Sequence, residues 1–207
     1  MKYPVLSWHR TVLFMQIIAI GASAGGPHAL AEILSLLPGD LPAFLLIVQH
    51  VNKEFSAGLA RWLNLQTALR VRIAPDGGRP EKGTVFVAGT DEHLILRPDF
   101  TFSYIPGPRD NPFRPSIDVF FHSMARYYCG RPERKKSMGI LLTGMGKDGA
   151  EGLLALRRAG CHTLAQDEHS SAVYGMPKAA RKLGAAAEIL PLGKIAPAIL
   201  SRIYGKS

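Results

Sequence analysis

The chain has 207 residues, of which 47% are hydrophobic and 20% are charged, and its formal net charge is +9. This length suits one domain with a good core, and the lack of internal repeats and of long apolar runs excludes solenoids and helical membrane proteins. The positive surplus favours an anionic partner. The densest basic stretch, residues 131–136, also contains a proline and a glutamate, and no nucleic-acid-binding motif is apparent. Nucleic acid is one candidate on charge alone, and an acidic protein surface would serve as well. We expect the acidic protein, with no nucleic acid and no membrane insertion.

The two cysteines, Cys129 and Cys161, lie outside any C-x-x-C or zinc-type spacing. Two cysteines do not make a disulfide framework, so the sequence predicts free thiols in a reducing compartment, which favours a cytoplasmic protein. The histidines, cysteines and carboxylates show no clustering typical of a metal site. We expect neither a metal nor a cofactor.

The amino terminus resembles a secretion signal, because Lys2 and Arg10 precede an apolar run at residues 12–20, and Ala-Ser-Ala at 22–24 resembles a cleavage site. Cleavage just after that run would remove the first strand of a sheet, so we interpret the run as a strand instead. Residues 1–15 show no clear pattern. The sequence therefore predicts an amino-terminal extension at 1–15 and one domain at 16–207.

Strand-like apolar runs alternate with helix-like segments along most of the chain. Strands are predicted at residues 17–20, 44–48, 71–74, 84–88, 93–97, 101–104, 140–142, 162–165 and 187–190, and helices at 28–37, 54–65, 116–128, 149–158, 177–183 and 194–204. This alternation predicts an α/β fold with a doubly wound, mostly parallel sheet and helices on both faces. The four short runs between residues 71 and 104 predict an antiparallel hairpin insertion.

Residues 21–25 read Gly-Ala-Ser-Ala-Gly, a literal G-x-S-x-G between the first strand and the first helix. This is the sequence form of a nucleophile elbow, a strained turn that holds a serine hydroxyl clear of the sheet. A phosphate-binding turn is the alternative. The pattern is G-x-x-x-G-G rather than G-x-G-x-x-G, however, and Asp40 lies in a turn rather than at a strand end. Ser23 is therefore a candidate nucleophile.

Two more polar side chains follow strands of the same sheet, whose carboxyl ends form the usual ligand-binding edge. His50 follows the second strand, and Asp148 lies in the glycine-rich turn after residues 140–142. With Ser23 they make the set that an activated serine needs: nucleophile, proton acceptor and a carboxylate that orients the imidazole. Each alone has a simpler explanation, such as a turn serine, a strand-end histidine or a helix N-cap. His169 is a rival base, because the order Ser23, Asp148, His169 is that of α/β-hydrolases.

Two further stretches stand out. Tyr174 and Lys178 form the Y-x-x-x-K pattern of short-chain dehydrogenases, but Pro177 between them predicts the start of a helix instead. Arg114 stands beside prolines in a predicted loop, where its side chain is a candidate hook for a substrate carboxylate.

Five ordered motifs together resemble the catalytic domain of the CheB family, the chemotaxis protein-glutamate methylesterases. The motifs are I-G-A-S-A-G-G at 20–26, Q-H at 49–50, R-P-S-I-D-V-F-F-H-S at 114–123, L-L-T-G-M-G-K-D-G-A at 141–150, and A-Q-D-E with Y-G-M-P-K-A-A within 165–180. The resemblance covers the chain from about residue 16 to near its end.

The resemblance implies a signal-transduction hydrolase that removes methyl esters from chemoreceptor glutamates, releases methanol and also deamidates receptor glutamines. It implies a serine catalytic triad of Ser23, His50 and Asp148. The expected oxyanion donors are the backbone N–H groups of Ala24 and of the turn around Met145. The expected partners are glutamate-rich, methylated receptor helices, which suit the positive charge, and a separate regulatory protein.

The chain also departs from the family pattern. Ala24 stands where many members have threonine, and Asn52 stands where proline is common. The family usually carries an amino-terminal receiver domain, which fifteen residues cannot contain, so we expect either a free-standing esterase or an incomplete chain. Two alternatives stay open: a catalytically silent module that binds acidic helical bundles, and a serine esterase of the same fold with another substrate.

Overall fold

The structure is a computed structural model that describes residues 15–205. The expected extension at 1–15 and the secretion-like residues Lys2 and Arg10 therefore lie outside the described residues, apart from Met15. Within the described part, every predicted strand and helix is present, and each end agrees to within two residues. None of the described helices combines the length and the apolarity that crossing a membrane requires.

The described elements are nine strands, six α-helices and one short 3-10 turn at Pro132–Arg134. The strands are β1 (Gln16–Ala22), β2 (Ala43–Gln49), β3 (Arg70–Ile73), β4 (Thr84–Val87), β5 (His93–Leu96), β6 (Phe102–Ile105), β7 (Met138–Leu141), β8 (His162–Gln166) and β9 (Glu188–Leu190). The helices are α1 (Gly26–Ser35), α2 (Lys53–Asn64), α3 (Ile117–Tyr127), α4 (Ala150–Arg158), α5 (Met176–Lys182) and α6 (Leu192–Tyr204).

Seven strands form one parallel sheet in the order β3-β4-β2-β1-β7-β8-β9. The chain builds outward from β1 to one side and then returns to place β7 on the other side of β1. The strand order therefore reverses between β1 and β7. In doubly wound sheets, the crevice outside the carboxyl ends at such a switch point is where ligands bind.

Both faces of this sheet are covered. Ile18 and Ile20 of β1 pack with α1, α2 and α6 on one face, while Ile17 and Ala19 pack with α3, α4 and α5 on the other. Successive strand residues point to opposite faces, so a strand buried on both sides must be apolar throughout. This explains the uninterrupted apolar run at 17–20, and it confirms the predicted fold class.

The predicted hairpin insertion is smaller than expected. Among the strands of residues 15–205, only β5 and β6 pair in an antiparallel manner, as a separate two-stranded sheet. Strands β3 and β4 instead join the main sheet in parallel. All four residues of β4 are buried, which is typical of a strand covered on both faces, and a four-residue run carries no periodicity that separates it from a hairpin strand.

The expectation of free thiols is wrong. Cys129, just after α3, and Cys161, just before β8, are joined by a disulfide with an S–S distance of 2.14 Å. Their separation of 32 residues gave no pairing signal, because only the packing of α3 against α4, the helix that precedes Cys161, brings them together. The cysteines therefore no longer argue for a cytoplasmic location.

Candidate active site

The loops after β1, β2 and β7 meet at the carboxyl edge of the sheet. Ala22 is paired with Gln49 across β1 and β2, so Ser23 and His50 leave neighbouring strands, which lie about 4.8 Å apart. The pairing continues past the strand ends, because the N–H of His50 donates to the carbonyl of Ala22 at 3.0 Å. On the other side, the N–H of Ser23 donates to the carbonyl of Thr143 at 3.0 Å. The serine thus lies between the histidine strand and the turn that carries Asp148.

Ser23 occupies a strand–turn–helix connection, as predicted, but the backbone strain lies elsewhere. Gly25 has a φ of +79°, and a Cβ there would meet the Cβ of Ala172 at 2.6 Å. Phe100 is the only non-glycine residue with positive φ among those described, so Ser23 is not itself strained as a nucleophile elbow would require. Its side chain is half-buried and accessible from the edge.

His50 and Asp148 form a direct pair. The distance from His50 Nε2 to Asp148 Oδ2 is 2.8 Å, and the side chains are only 12% and 3% exposed. Nε2 therefore carries the proton that it donates to the carboxylate. The other ring nitrogen, Nδ1, is buried and has no hydrogen-bond partner among the described residues. The hydroxyl of Ser23 also makes no hydrogen bond within the described part of the chain. The nitrogen left to act on a neighbouring hydroxyl is thus Nδ1.

Asp148 lies at the amino end of α3 rather than capping its own helix. Its carboxylate accepts the N–H of Ile117 at 2.7 Å, the hydroxyl of Ser116 at 2.8 Å and the N–H of Asp118 at 3.2 Å. The N-cap of α4 is Gly149 instead, so the helix-cap alternative is wrong for α4. Burial raises the pKa of Asp148, but the hydrogen bonds from His50, Ile117 and Ser116 outweigh it, and the net pKa is lowered. The carboxylate is therefore ionised and able to orient the imidazole.

A second carboxyl group, that of Asp118, lies close to this pair. Asp118, in the first turn of α3, accepts the N–H of Gly152 at 2.7 Å. Burial and the negative charge of Asp148 together raise the pKa of Asp118 to about 6, against the opposing hydrogen bond from Gly152.

Gln49 connects the serine turn to the histidine. Its side chain is buried, and Nε2 donates to the carbonyl of Ser23 at 2.9 Å and to the carbonyl of His50 at 3.1 Å. The packing around it is close, because a Cβ on Gly26 would meet Gln49 Oε1 at 2.0 Å. One amide thus fixes the backbone on both sides of the Ser23–His50 gap.

Two backbone N–H groups beside Ser23 are unused. Neither Ala24 nor Met145 donates its N–H to an acceptor among the described residues. Their turns lie together, because a Cβ on Gly144 would meet the Cβ of Ser23 at 2.7 Å, and Thr143 Oγ1 donates to the carbonyl of Ala24 at 2.8 Å. Free N–H groups next to a half-buried, accessible serine are what an oxyanion hole requires.

The other residues that the sequence singled out lie in different places relative to the His50–Asp148 pair. Arg114 is exposed in the loop beside the site. His169, the rival base, lies in a turn after β8 and is not the histidine that contacts Asp148. Helix α5 begins at Met176, so Tyr174 precedes the helix that contains Lys178, as the proline predicted.

Sequence reasoning missed several residues of this site. The ring of Phe113 is stacked on that of His50, with centroids 4.6 Å apart and planes 6° apart. Ser116, Thr143 and Gln49 hold the loops in place by hydrogen bonds, and none of them has a side chain that signals chemistry. Their only sequence signal was their position within the quoted motifs.

Comparisons with known proteins identify one family. The family model described as CheB methylesterase matches residues 18–199. The chain is 56% identical over 189 residues to "Protein-glutamate methylesterase/protein-glutamine glutaminase 2" of Burkholderia orbicola, covering 90% of this chain and 55% of that protein. It is 55% identical over 181 residues to "Protein-glutamate methylesterase/protein-glutamine glutaminase 1" of Bordetella avium, covering 87% of this chain and 52% of that protein.

A solved structure is also similar. The Thermotoga maritima CheB methylesterase catalytic domain matches with a TM-score of 0.84 and 33% identity, covering 90% of this chain and 98% of that one. The chain therefore belongs to the CheB methylesterase family. It spans about half the length of the curated relatives that it matches.

Proposed function

We propose that this chain hydrolyses the γ-methyl esters of glutamate side chains on chemoreceptors and releases methanol, with Ser23, His50 and Asp148 as its catalytic residues. The observation that carries the proposal is the buried His50–Asp148 pair at 2.8 Å, on the strand next to an accessible serine. Family membership supports the reaction type.

The chemistry follows from the hydrogen bonds. Ser23 Oγ attacks the ester carbonyl while His50 Nδ1 takes its proton, because Nε2 is already held by Asp148. The ionised carboxylate keeps the imidazole in that tautomer and stabilises the cation that forms. The N–H groups of Ala24 and Met145 bind the developing oxyanion, a contribution of about 10²–10³ in rate for one such donor.

The intermediate then breaks down in two steps. His50 returns its proton to the departing methoxide, which leaves as methanol, and the glutamyl group stays on Ser23 as an ester. Water attacks that ester with His50 again as the base. The bond from the glutamyl carbon to Ser23 Oγ then breaks, His50 returns the proton to Oγ, and the free glutamate carboxylate leaves. A glutamine side chain follows the same path with ammonia as the leaving group, which supports deamidation as a second reaction.

The substrate is an acidic protein surface. The net charge of +9 and the exposed cations Arg114, Lys147 and Lys178 suit the glutamate-rich helices of a receptor, since opposite charges speed encounter. Arg114 is proposed to bind a carboxylate next to the reacting ester. A cytoplasmic location and control by a separate regulatory protein belong to the same proposal.

Methanol release from methylated receptor membranes tests the proposal. The wild type and Ser35→Ala, a control at an exposed serine, should release methanol at equal rates, whereas Ser23→Ala should release none. Equal receptor binding by wild type and Ser23→Ala without any methanol would instead identify a silent binding module. Reaction of Ser23 with a fluorophosphonate, without methanol from receptors, would indicate an esterase for another substrate.

A further inference from the structure

The aromatic ring of Phe113 covers one face of the His50 imidazole. The two rings are nearly parallel, 6° apart, with centroids 4.6 Å apart. Phe113 Cζ also lies 3.5 Å from the point where a Cβ on Gly146 would stand. The phenyl ring is thus placed between the histidine after β2 and the turn after β7.

The loop that carries Phe113 is anchored at both ends by one buried histidine. His93 of β5 is fully buried, and its Nε2 lies 3.1 Å from the carbonyl of Pro108. The backbone N–H of Ser116 lies 3.1 Å from its Nδ1. A carbonyl only accepts and a backbone N–H only donates, so Nε2 carries the proton and Nδ1 accepts. The two anchor points bracket Phe113.

The anchored loop is continuous with the catalytic pair. Ser116, whose N–H is bound to His93, donates its hydroxyl to Asp148 Oδ1 at 2.8 Å. Asp148 in turn holds His50. The imidazole is therefore fixed at one edge by the carboxylate and on one face by the phenyl ring, and both supports are tied to the same loop.

We propose that Phe113 is a positioning residue for the catalytic histidine, whose ring orients the imidazole and stabilises it when it becomes positively charged. The inference rests on the proposed function, in which His50 takes a proton from Ser23. An aromatic face attracts a cation held within about 6 Å of its centroid. The neutral imidazole gains less from this face, so the effect is larger in the transition state than in the ground state.

An interaction of this kind acts on kcat rather than on KM. Phe113→Leu keeps an apolar side chain but removes the aromatic face. From typical cation–π contributions, we expect it to lower kcat roughly 5- to 30-fold and to leave KM within about twofold. Phe113→Tyr keeps the face and should retain most of the wild-type rate.

The experiment compares wild type, Phe113→Leu, Phe113→Tyr and the control Phe55→Leu, which changes an exposed phenylalanine of α2. Three rates are measured: methanol release from methylated receptor membranes, labelling of Ser23 by a fluorophosphonate, and carbethoxylation of His50 by diethylpyrocarbonate, read by peptide mass spectrometry. Phe113→Leu should slow the first two and speed the third, because the imidazole loses its cover. Thermal melts confirm that each variant is folded. If Phe113→Leu does not fold, the test rests on Phe113→Tyr, which should retain most of the wild-type rate.

The outcomes separate the two proposals. If the wild type labels with the fluorophosphonate but releases no methanol, the methylesterase proposal fails, while the role of Phe113 is still decided by labelling. Wild-type labelling and carbethoxylation rates in Phe113→Leu would overturn the inference. So would a Phe113→Tyr protein as slow as Phe113→Leu, since bulk and packing alone would then explain the effect.

Discussion

The carboxylate of Asp148 accepts the backbone N–H of Ile117 at 2.7 Å, which places it on the first turn of α3. The same oxygen accepts from His50 Nε2 at 2.8 Å. Unpaired N–H groups at a helix start favour a negative charge. One carboxylate therefore both accepts the N–H groups at the start of α3 and orients the imidazole of His50. A substitution at Asp148 is expected to weaken the helix start and the orientation of the imidazole together.

Asp148→Asn should lower both activity and stability. One acceptor oxygen becomes an NH₂ group that faces donors, and the imidazole loses the anion that selects its tautomer. We expect kcat to fall by about 10³–10⁴-fold and the free energy of unfolding by about 1–3 kcal/mol, measured by methanol release and urea unfolding. Asp99→Asn, at a hairpin carboxylate bonded to Thr101, is the control, and its activity should be that of the wild type. An active Asp148→Asn enzyme would contradict the proposed role.

The two candidate bases are distinguished by paired substitutions. His50→Gln should reduce kcat by about 10³-fold or more, because no other described histidine contacts Asp148. His169→Gln should change kcat less than about twofold. Single-turnover methanol release measures both. If only His169→Gln were inactive, the assignment of His50 as base would be wrong.

Gln49→Glu replaces a donor with an acceptor at constant shape. The new oxygen would face the carbonyls of Ser23 and His50, which now accept from Nε2. We expect a loss of about 1–3 kcal/mol in the free energy of unfolding and a 10- to 10²-fold fall in kcat, on the order seen when reacting groups shift slightly. Gln66→Glu, at an exposed position, should match the wild type in both assays. Equal values for the two variants would show that the amide bridge has no role.

Asp118 gives the stability a defined pH dependence. Burial raises the pKa of Asp118 from 3.8 to about 6. Between these two pH values the Asp118 carboxyl is ionised in the unfolded chain but keeps its proton in the folded chain. The stabilising contribution of Asp118 to the free energy of unfolding is thus fully present below about pH 4. It falls as the pH rises through about 6 and is absent above that.

Asp118→Asn should remove this fall, because the amide does not ionise and still accepts the N–H of Gly152. Urea unfolding at pH 4–7 measures it: the stability of the variant minus that of the wild type should rise with pH and then level off. The same difference for Asp40→Asn, at an exposed carboxyl, should stay flat. Parallel curves for wild type and Asp118→Asn would contradict the raised pKa.

The disulfide should stabilise the fold without supporting the chemistry. It closes a loop of 32 residues, for which chain entropy predicts about 2–4 kcal/mol. Reductant should lower the urea midpoint of the wild type but not that of a Cys129→Ser, Cys161→Ser double variant, and both proteins should retain activity. Two free thiols in the unfolded, non-reduced protein would show that the bond does not form.

Much of this architecture was predictable because its signals are local. The apolar run at 17–20, the glycines around Ser23 and the strand-end positions of His50 and Asp148 all follow from rules that act within a few residues. The parallel pairing of β3 with β4 does not follow from such local rules, because the sequence of a four-residue strand indicates neither its partner nor its direction. The bond between Cys129 and Cys161 depends on tertiary packing alone.

The details of the site were less predictable than its three candidate residues. Which nitrogen of His50 meets Asp148 depends on ring orientation, which no spacing encodes. Phe113 and Gln49 read as ordinary apolar and polar residues until the loops are folded over the edge. The unusual backbone conformation expected at Ser23 falls on Gly25, which has a positive φ and where a Cβ would meet the Cβ of Ala172 at 2.6 Å.

The hydroxyl of Ser23 makes no hydrogen bond within the described chain, unlike every other side-chain polar group of the proposed triad except Nδ1 of His50. Removing it should therefore leave the surface shape and the charges of the molecule as they are. Ser23→Ala is for that reason suited as bait: an inert, well-folded copy on a solid support that retains methylated proteins it cannot process and allows them to be eluted and sequenced.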